Sequence, residues 1–137
     1  MITGKPFNLE IVTPSGVVFE GMVESVSLPA VDKPFQVLAN HAPLVATLGI
    51  GAIIFQDSTQ KVSIYATSGG FVQVLHNKVS CVVETAEDAS SIDVIRAQES
   101  KRRAEERLAK RSECDVVRAE ASLARALNRL KVAGMQR

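Results

Sequence analysis

Tryptophan is absent from the sequence, and residues that often carry chemistry are scarce, with two cysteines and two histidines among 137 residues. His41 and His76 lie in turn-like segments, and neither has Cys, Asp or Glu at metal-ligand spacing, which predicts no metal site. Gly-x-Ser-x-Gly elbows, Walker loops and Rossmann glycine patterns are also missing. Ser68-Gly69-Gly70 does not predict a phosphate cradle, because a strand rather than a helix follows it. We therefore expect no catalytic residues and no enzymatic activity of the chain's own.

Long hydrophobic runs are missing too. The longest, such as Ile50–Phe55, are far too short to span a bilayer. No cationic start followed by an apolar core is present, so no secretion signal is visible. Cys81 and Cys114 are then most simply two free thiols in a reducing compartment, with Cys81 a small core residue of a strand.

Glycine, proline and aromatic residues are all absent from Ser91 to Ala133, which holds eight of the nine arginines. Good helix formers fill this stretch, and its apolar residues recur at helical spacing. Residues 1–91 carry four lysines against eight acidic residues, whereas residues 92–137 carry twelve basic residues against seven acidic ones. An acidic half joined to a basic half is typical of a chain with an electrostatic partner, although solvated helices are also rich in charge.

Short apolar runs alternate with turn residues in the first part of the chain. Phe7–Ile11 has the alternation of a half-buried strand, and Thr13–Gly16, Asn40–Pro43 and His76–Asn77 are turn signals. Eight to ten short strands at this spacing predict a sandwich or barrel. The short connections predict antiparallel pairing, because parallel strands need longer crossovers.

The helical stretch has its own start, break and seam signals. Ser90 followed by Asp93 resembles a capping box, and Asp115 can cap a second helix after a weak break near Ser112–Asp115. The second helix carries a narrow seam for a partner helix at Val116, Ala119, Leu123, Ala126, Leu130 and Ala133. The first carries a poorer seam at Ala97, Ala104 and Leu108, which Lys101 interrupts. Nothing at the break forbids one continuous helix, so a folded hairpin and a straight helix both stay open.

Motifs of one family run through nearly the whole chain in a fixed order and spacing. They are Ile11-Val12-Thr13-Pro14, Val18-Phe19-Glu20-Gly21, Asn40-His41-Ala42-Pro43-Leu44, Ser68-Gly69-Gly70-Phe71, Ile92-Asp93-Val94-Ile95-Arg96-Ala97 and Arg103-Ala104-Glu105-Glu106-Arg107-Leu108. Together they resemble the epsilon subunits of F-type ATP synthases. The resemblance implies an N-terminal antiparallel ten-stranded β-sandwich over residues 1–86 and a C-terminal two-helix antiparallel hairpin over residues 87–137.

The same resemblance implies a non-catalytic rotor subunit of the central stalk, which couples proton translocation to ATP synthesis. It implies binding to the gamma subunit and the ring of c subunits, and an arm that reaches the alpha and beta subunits and inhibits ATP hydrolysis. It places the protein peripherally on the cytoplasmic face of the bacterial plasma membrane, or on the equivalent organellar face. The alternative is a basic helical module that binds nucleic acid, but the arm has no aromatic residues for base stacking and seven acids dilute its charge.

Three sets of residues follow from the resemblance. Contact with gamma or the c ring is expected at Val37, Leu38, Asn40, His41, Pro43, Gly69, Gly70 and Phe71. An inhibitory contact with beta is expected at Arg102, Arg107, Lys110, Arg111 and Arg118. Regulatory ATP, bound without hydrolysis when the hairpin is folded, is expected at Glu87, Asp93, Arg96, Arg103, Arg125 and Arg129.

The ATP set combines arginines, whose planar donors suit phosphate oxygens, with carboxylates that can accept from the adenine amino group. The plain alternative is a helix-capping Asp93 with ordinary surface arginines. For His41, the alternative is that its motif only shapes a turn. Two departures from the family pattern stand nearby: Pro34 occupies a place where an acidic contact to the ring is common, and Ala39 replaces a usual proline.

Overall fold

The chain folds into ten strands followed by two helices, over the residues 5–110 and 115–135 that this computed structural model describes. The strands are β1 Phe7–Thr13, β2 Gly16–Val23, β3 Ser25–Leu28, β4 Phe35–Val37, β5 Leu44–Leu48, β6 Gly51–Gln56, β7 Val62–Thr67, β8 Gly70–Leu75, β9 Lys78–Val83 and β10 Ala86–Asp88. A single 3-10 turn, Ala89–Ser91, leads to the helices α1 Val94–Ala109 and α2 Val116–Met135. The predicted sandwich followed by two helices is confirmed.

The strands form two five-stranded sheets with the core between them. Sheet A has the order β2-β1-β9-β8-β5, and sheet B has the order β10-β7-β6-β3-β4. Period-two alternation sends Leu9 and Ile11 of β1 inward, where they are fully buried with Ile53 and Phe55 of β6. The ring of Phe19 closes this core against Phe55 with centroids 4.4 Å apart.

Strand pairing departs from the sequence-based expectation at one place. All described pairs are antiparallel except β1 and β9, which run parallel with Leu9 opposite Val79 and Ile11 opposite Cys81. The prediction assumed that neighbours in the sheet are neighbours in sequence. Almost the whole sandwich lies between β1 and β9, so a short connection does not constrain their direction.

The two helices form a folded hairpin rather than one straight helix. They pack against each other through small residues, and Ala97 and Ala104 of α1 are as buried as Ala119 and Ala126 of α2. The predicted seams are therefore confirmed, with the side chain of Lys101 half-buried beside the first one. Helices joined by so short a connection run antiparallel, and alanine lets their axes come close.

Two aspartates set the helix starts. The Asp93 carboxylate accepts from the backbone N–H of Arg96 at 3.0 Å, so Asp93 itself is the N-cap of α1. The expected capping box from Ser90 is wrong, because Ser90 lies in the 3-10 turn and its N–H is bound by Asp88. Asp115 caps α2 as predicted, through the N–H of Arg118. The rest of the predicted break, residues 112–114, lies outside the described residues.

Glycine is required where β8 begins. A Cβ atom on Gly70 would lie 2.1 Å from the carbonyl oxygen of Val82 and 2.7 Å from the Cα atom of Val83. Backbone atoms cannot rotate away as a side chain can, so β8 can approach β9 this closely only without a side chain at residue 70. Gly16 also has a positive φ, of 126°, but a Cβ atom there would meet nothing within 4 Å.

These two glycines give a matched test. We expect Gly70→Ala to lower the free energy of unfolding by roughly 2–4 kcal/mol, because the backbone of β9 must move. Gly16→Ala introduces only the strain of a positive φ, without a clash, and should lower the free energy of unfolding by only about 1 kcal/mol. Urea unfolding followed by circular dichroism measures both. Equal losses for the two variants would contradict the close contact between β8 and β9.

Candidate functional site

An apolar row crosses the outer face of sheet A. It is formed by Phe71, Val82, Val12 and Val17, which are register partners in sequence across β8, β9, β1 and β2. Phe71 is 49% exposed, Val82 41% and Val17 61%, while Val12 is half-buried between its neighbours. The helices pack on sheet B instead. A contiguous exposed row of this kind is typical of a surface that another protein covers.

The expected interface set divides into surface residues and core residues. Leu38, Asn40, Pro43 and Phe71 are exposed and His41 is half-buried, so all five are open to a partner. The direct contact expected of Val37 is wrong for this fold, since its pairing with Val26 sends its side chain into the core and leaves it 1% exposed.

Gly69 and Gly70 shape the backbone rather than present a contact surface. Gly69 is buried, with a φ of 115°, and a Cβ atom there would lie 3.0 Å from the carbonyl oxygen of Leu48. Gly70 is confined by β9. Their place in the family motif is explained by the turn into β8, which brings Phe71 to the surface.

His41 lies in a loop that is held at both sides. Its Nδ1 atom lies 2.7 Å from the carbonyl oxygen of Ala42, and its ring centroid is 6.3 Å from that of Phe35. A carbonyl oxygen only accepts, so Nδ1 is the donor in this contact. The preceding residue, Asn40, has a positive φ of 61° and donates its N–H to Oδ1 of Asn77.

A second candidate site is a cleft of about 610 Å³ between the hairpin and the sandwich. Its volume is within the range of small-molecule sites. Its polar lining consists of Thr13, Ser15, Thr67, Ser68, Glu84, Thr85, Glu87, Ser100, Ser122, Arg125, Asn128 and Arg129. Arg129 donates to both carboxylate oxygens of Glu87, at 2.7 and 3.1 Å, and Arg125 donates to the hydroxyl of Ser122 at 3.2 Å. The cleft therefore holds two arginines, of which one is engaged by a carboxylate of sheet B.

The structure brings together half of the expected ATP set. Glu87, Arg125 and Arg129 line the cleft, whereas Asp93, Arg96 and Arg103 do not. Asp93 is occupied as a helix cap, and Arg96 is exposed.

The missing arginines nevertheless flank the cleft along α1. Ser100 is the residue of α1 that lines it. Arg96 lies four residues before Ser100 and Arg103 three residues after it, so all three share one helix face. Arg96 and Arg103 therefore lie one turn to either side of Ser100, outside the cleft lining.

Asn128 is a cleft residue that the sequence did not reveal. Its Nδ2 atom donates to the carbonyl oxygen of Gly51 at 2.9 Å and to that of Thr67 at 3.4 Å. With Arg129 and the fully buried Val132, it attaches the last turns of α2 to sheet B and the 3-10 turn. The one signal in the sequence was a side-chain amide among the apolar and basic residues of a helix.

The residues expected to meet beta lie on the outer surface of the hairpin. Arg102 forms salt bridges with both Glu99 and Glu106 of its own helix. The hydrogen bond from Arg102, more than its charge, holds the pKa of Glu99 below its usual range. Arg107, Lys110 and Arg118 are exposed, and Arg111 lies outside the described residues.

Within residues 5–110 and 115–135, neither a reactive thiol nor a metal-binding cluster is present. Cys81 is fully buried, and burial raises the pKa of its thiol to about 12, which makes it unreactive. Cys114 lies outside the described residues. No group of three or more His, Cys, Asp and Glu within them could hold a metal ion, and neither of their helices is long and apolar enough to cross a membrane.

Family comparisons agree with this two-part construction of a β-sandwich joined to a helical hairpin. The family model described as "ATP synthase, Delta/Epsilon chain, beta-sandwich domain" matches residues 6–89, and "ATP synthase, Delta/Epsilon chain, long alpha-helix domain" matches residues 90–134. The chain therefore belongs to the delta/epsilon chain family of ATP synthases, and the resemblance seen in its motifs is confirmed.

Two relatives match over nearly their whole length. The ATP synthase epsilon chain of Pelotomaculum thermopropionicum is 48% identical over 134 residues, covering 97% of this chain and 99% of the relative. That of Bacillus pumilus is 45% identical over 130 residues, covering 95% and 98%. A chain in the structure of the Euglena gracilis mitochondrial ATP synthase OSCP/F1/c-ring has a TM-score of 0.78 at 19% identity, covering 99% of this chain and 85% of that one. At that identity the structural likeness shows the fold alone.

Proposed function

We propose that the chain is a non-catalytic subunit of the central stalk of an F-type ATP synthase, part of the rotor that couples proton translocation to ATP synthesis. The family match over residues 6–134 supports this function. The observation that carries it is the apolar row on sheet A, left exposed because the chain's own helices cover sheet B. Because the chain belongs to this family, its basic helices no longer have to be explained by nucleic-acid binding.

The proposed partners follow from the two parts of the fold. The apolar row and the loop Leu38–Pro43 bind the gamma subunit and the c ring, and the basic outer face of the hairpin meets the alpha and beta subunits. Structural neighbours belong to the F1/c-ring assembly of the Euglena gracilis mitochondrial ATP synthase and to the central stalk and c-ring of the Tetrahymena thermophila enzyme, which supports this placement. The protein is then held at the cytoplasmic face of the bacterial plasma membrane, or its organellar equivalent, only through the complex.

A charge placed in the apolar row should prevent docking. We expect Phe71→Glu to weaken association with an F1 complex that contains gamma and lacks this subunit by about tenfold or more, since an unpaired carboxylate must then be buried. Val62→Glu is the matched control, because Val62 is 52% exposed on a strand of sheet B. Biolayer interferometry with the F1 complex immobilised measures both affinities. Docking that tolerates Phe71→Glu as well as Val62→Glu would contradict the assignment of sheet A.

The hairpin is proposed to regulate ATP hydrolysis by leaving the sandwich and rising along the stalk. Its attachment is small: the last turns of α2 contact the sandwich through Asn128, Arg129 and Val132, while α1 packs mainly on α2. Breaking a few such polar contacts costs about 1–3 kcal/mol each. A partner that offers carboxylates to Arg107, Lys110 and Arg118 as a network can supply that free energy.

Removal of the hairpin tests regulation separately from docking. Deletion of residues 92–137 should leave association with the F1 complex intact, because the apolar row is untouched, and should raise ATP hydrolysis by the reconstituted complex. The control is the full-length chain reconstituted at the same stoichiometry. Hydrolysis at the same level in both complexes would show that this arm does not inhibit.

The cleft supports a second proposal, that the folded hairpin binds ATP without hydrolysing it. The phosphates would engage Arg125 and Arg129, with Arg96 and Arg103 reached along α1. Phosphate would compete with Glu87 for Arg129, which frees the carboxylate for the adenine amino group. Because only the folded hairpin forms this cleft, ATP would stabilise the folded state and oppose inhibition.

Calorimetric titration of the full chain with ATP tests that site. We expect heat of binding in the intact protein and at least tenfold weaker binding in Arg125→Ala and Arg129→Ala, since each loses a charge-assisted contact. Arg118→Ala is the matched control on the same helix outside the cleft. Equal loss in Arg96→Ala would extend the site to the start of α1. No heat at millimolar ATP would exclude it.

A further inference from the structure

The turn between β8 and β9 holds a side chain that reaches a distant loop. His76 and Asn77 have positive φ values of 50° and 60°, as a two-residue type I′ hairpin turn requires. Glycine or asparagine satisfies that requirement through the backbone alone. The side chain of Asn77, however, uses both of its polar atoms in contacts with other parts of the chain.

Asn77 joins three segments at one end of the sandwich. Its Oδ1 atom accepts from the backbone N–H of Asn40 at 2.8 Å, across 37 positions of sequence. Its Nδ2 atom donates to the carbonyl oxygen of Pro6 at 3.4 Å, and its backbone oxygen accepts from the N–H of Asn8 at 3.2 Å. The turn therefore fixes the loop Leu38–Pro43 relative to the start of β1 and to sheet A.

The position of Asn40 explains why the loop needs this bond. Asn40 has a φ of 61°, a conformation that costs a non-glycine residue free energy unless other contacts hold it. Its N–H is directed at Asn77, and His41 is the next residue, with its Nδ1 bound to Ala42. Loss of the bond to Asn77 frees Asn40 to leave this conformation, and His41 then moves with it.

We propose that Asn77 is a positioning residue that holds the loop Leu38–Pro43, and with it His41, in the orientation that docks on the stalk. This inference rests on the proposed docking function of that loop. Asn77 acts through Asn40 and does not itself have to touch the partner. Sheet A supplies its apolar row, and Asn77 sets the loop in a fixed relation to that row through the β8–β9 turn.

Two substitutions separate positioning from turn formation. Asn77→Gly keeps the positive φ at low cost and removes the acceptor for Asn40. Asn77→Asp keeps an acceptor oxygen for Asn40 and tolerates this φ, and it replaces the Nδ2 donor to Pro6 with a carboxylate oxygen. His76→Gly changes the same turn at a residue whose side chain makes none of these contacts, and it serves as the turn control.

The first measurement is hydrogen exchange at the Asn40 backbone amide in the isolated full chain. We expect exchange about tenfold faster or more in Asn77→Gly, and within about twofold of the unmodified chain in Asn77→Asp and His76→Gly. Urea unfolding of each variant confirms that the sandwich stays folded. Unchanged Asn40 exchange in Asn77→Gly would overturn the tie between turn and loop.

The second measurement is association with the gamma-containing F1 complex. We expect Asn77→Gly to weaken this association by about 2- to 10-fold, the range that corresponds to the loss of one hydrogen bond. Asn77→Asp should associate as tightly as the unmodified chain. Faster Asn40 exchange with unchanged association would overturn the docking role of the loop. That result differs from failure of the proposed function, in which Phe71→Glu also leaves association unchanged.

Discussion

The packing of α2 on sheet B decides which surfaces of this protein are left for partners. A two-layer sandwich has two outer faces, and the chain supplies helix for only one of them. Ala52, Ile64 and Ala66 of sheet B are covered by Val132 and its neighbours near the end of α2. Nothing within residues 5–110 and 115–135 covers the apolar row on sheet A in this way. An exposed row of aligned apolar residues is thus a direct result of where the chain's own helix lies.

The same packing makes the hairpin easy to separate from its support. Small side chains hold α1 to α2, so the helix pair is a unit, while only a few side chains hold that unit to the sandwich. Two of these contacts, made by Asn128 and Arg129, are polar and can be exchanged for water or a ligand. Val132 packs with Ala133 and Met135 as the apolar part of the attachment, which water cannot replace.

Local patterns in the sequence were enough to predict most of the fold. Alternation in β1 and the alanine seam of α2 each identify a buried face, because burial repeats with the period of the element. The parallel pairing of β1 with β9 could not be predicted in this way, because it depends on which distant strands meet. The start of α1 was misplaced because Ser90 and Asp93 are both good caps, and the 3-10 turn takes up Ser90.

The candidate sites were predictable only in part for the same reason. Arg125 and Arg129 share a helix face, and that spacing can be seen in the sequence. Their meeting with Glu87 of β10 depends on the seating of α2, which no local pattern encodes. Val37 was assigned to an interface from the family resemblance, but the three-residue strand β4 turns its side chain inward. Asn77 and Asn128 were missed because the long-range hydrogen bonds of a side-chain amide produce no periodic pattern in the sequence.

The parallel pairing of β1 with β9 determines when, during synthesis of the chain, the apolar row can be completed. The apolar row is divided by this contact, with Val12 and Val17 contributed by the first strands and Phe71 and Val82 by the eighth and ninth. A growing chain cannot display the complete row until β9 has emerged and closed sheet A. Such distant pairing is slow to form. An incomplete chain on the ribosome therefore lacks the finished apolar row that we propose docks on the stalk.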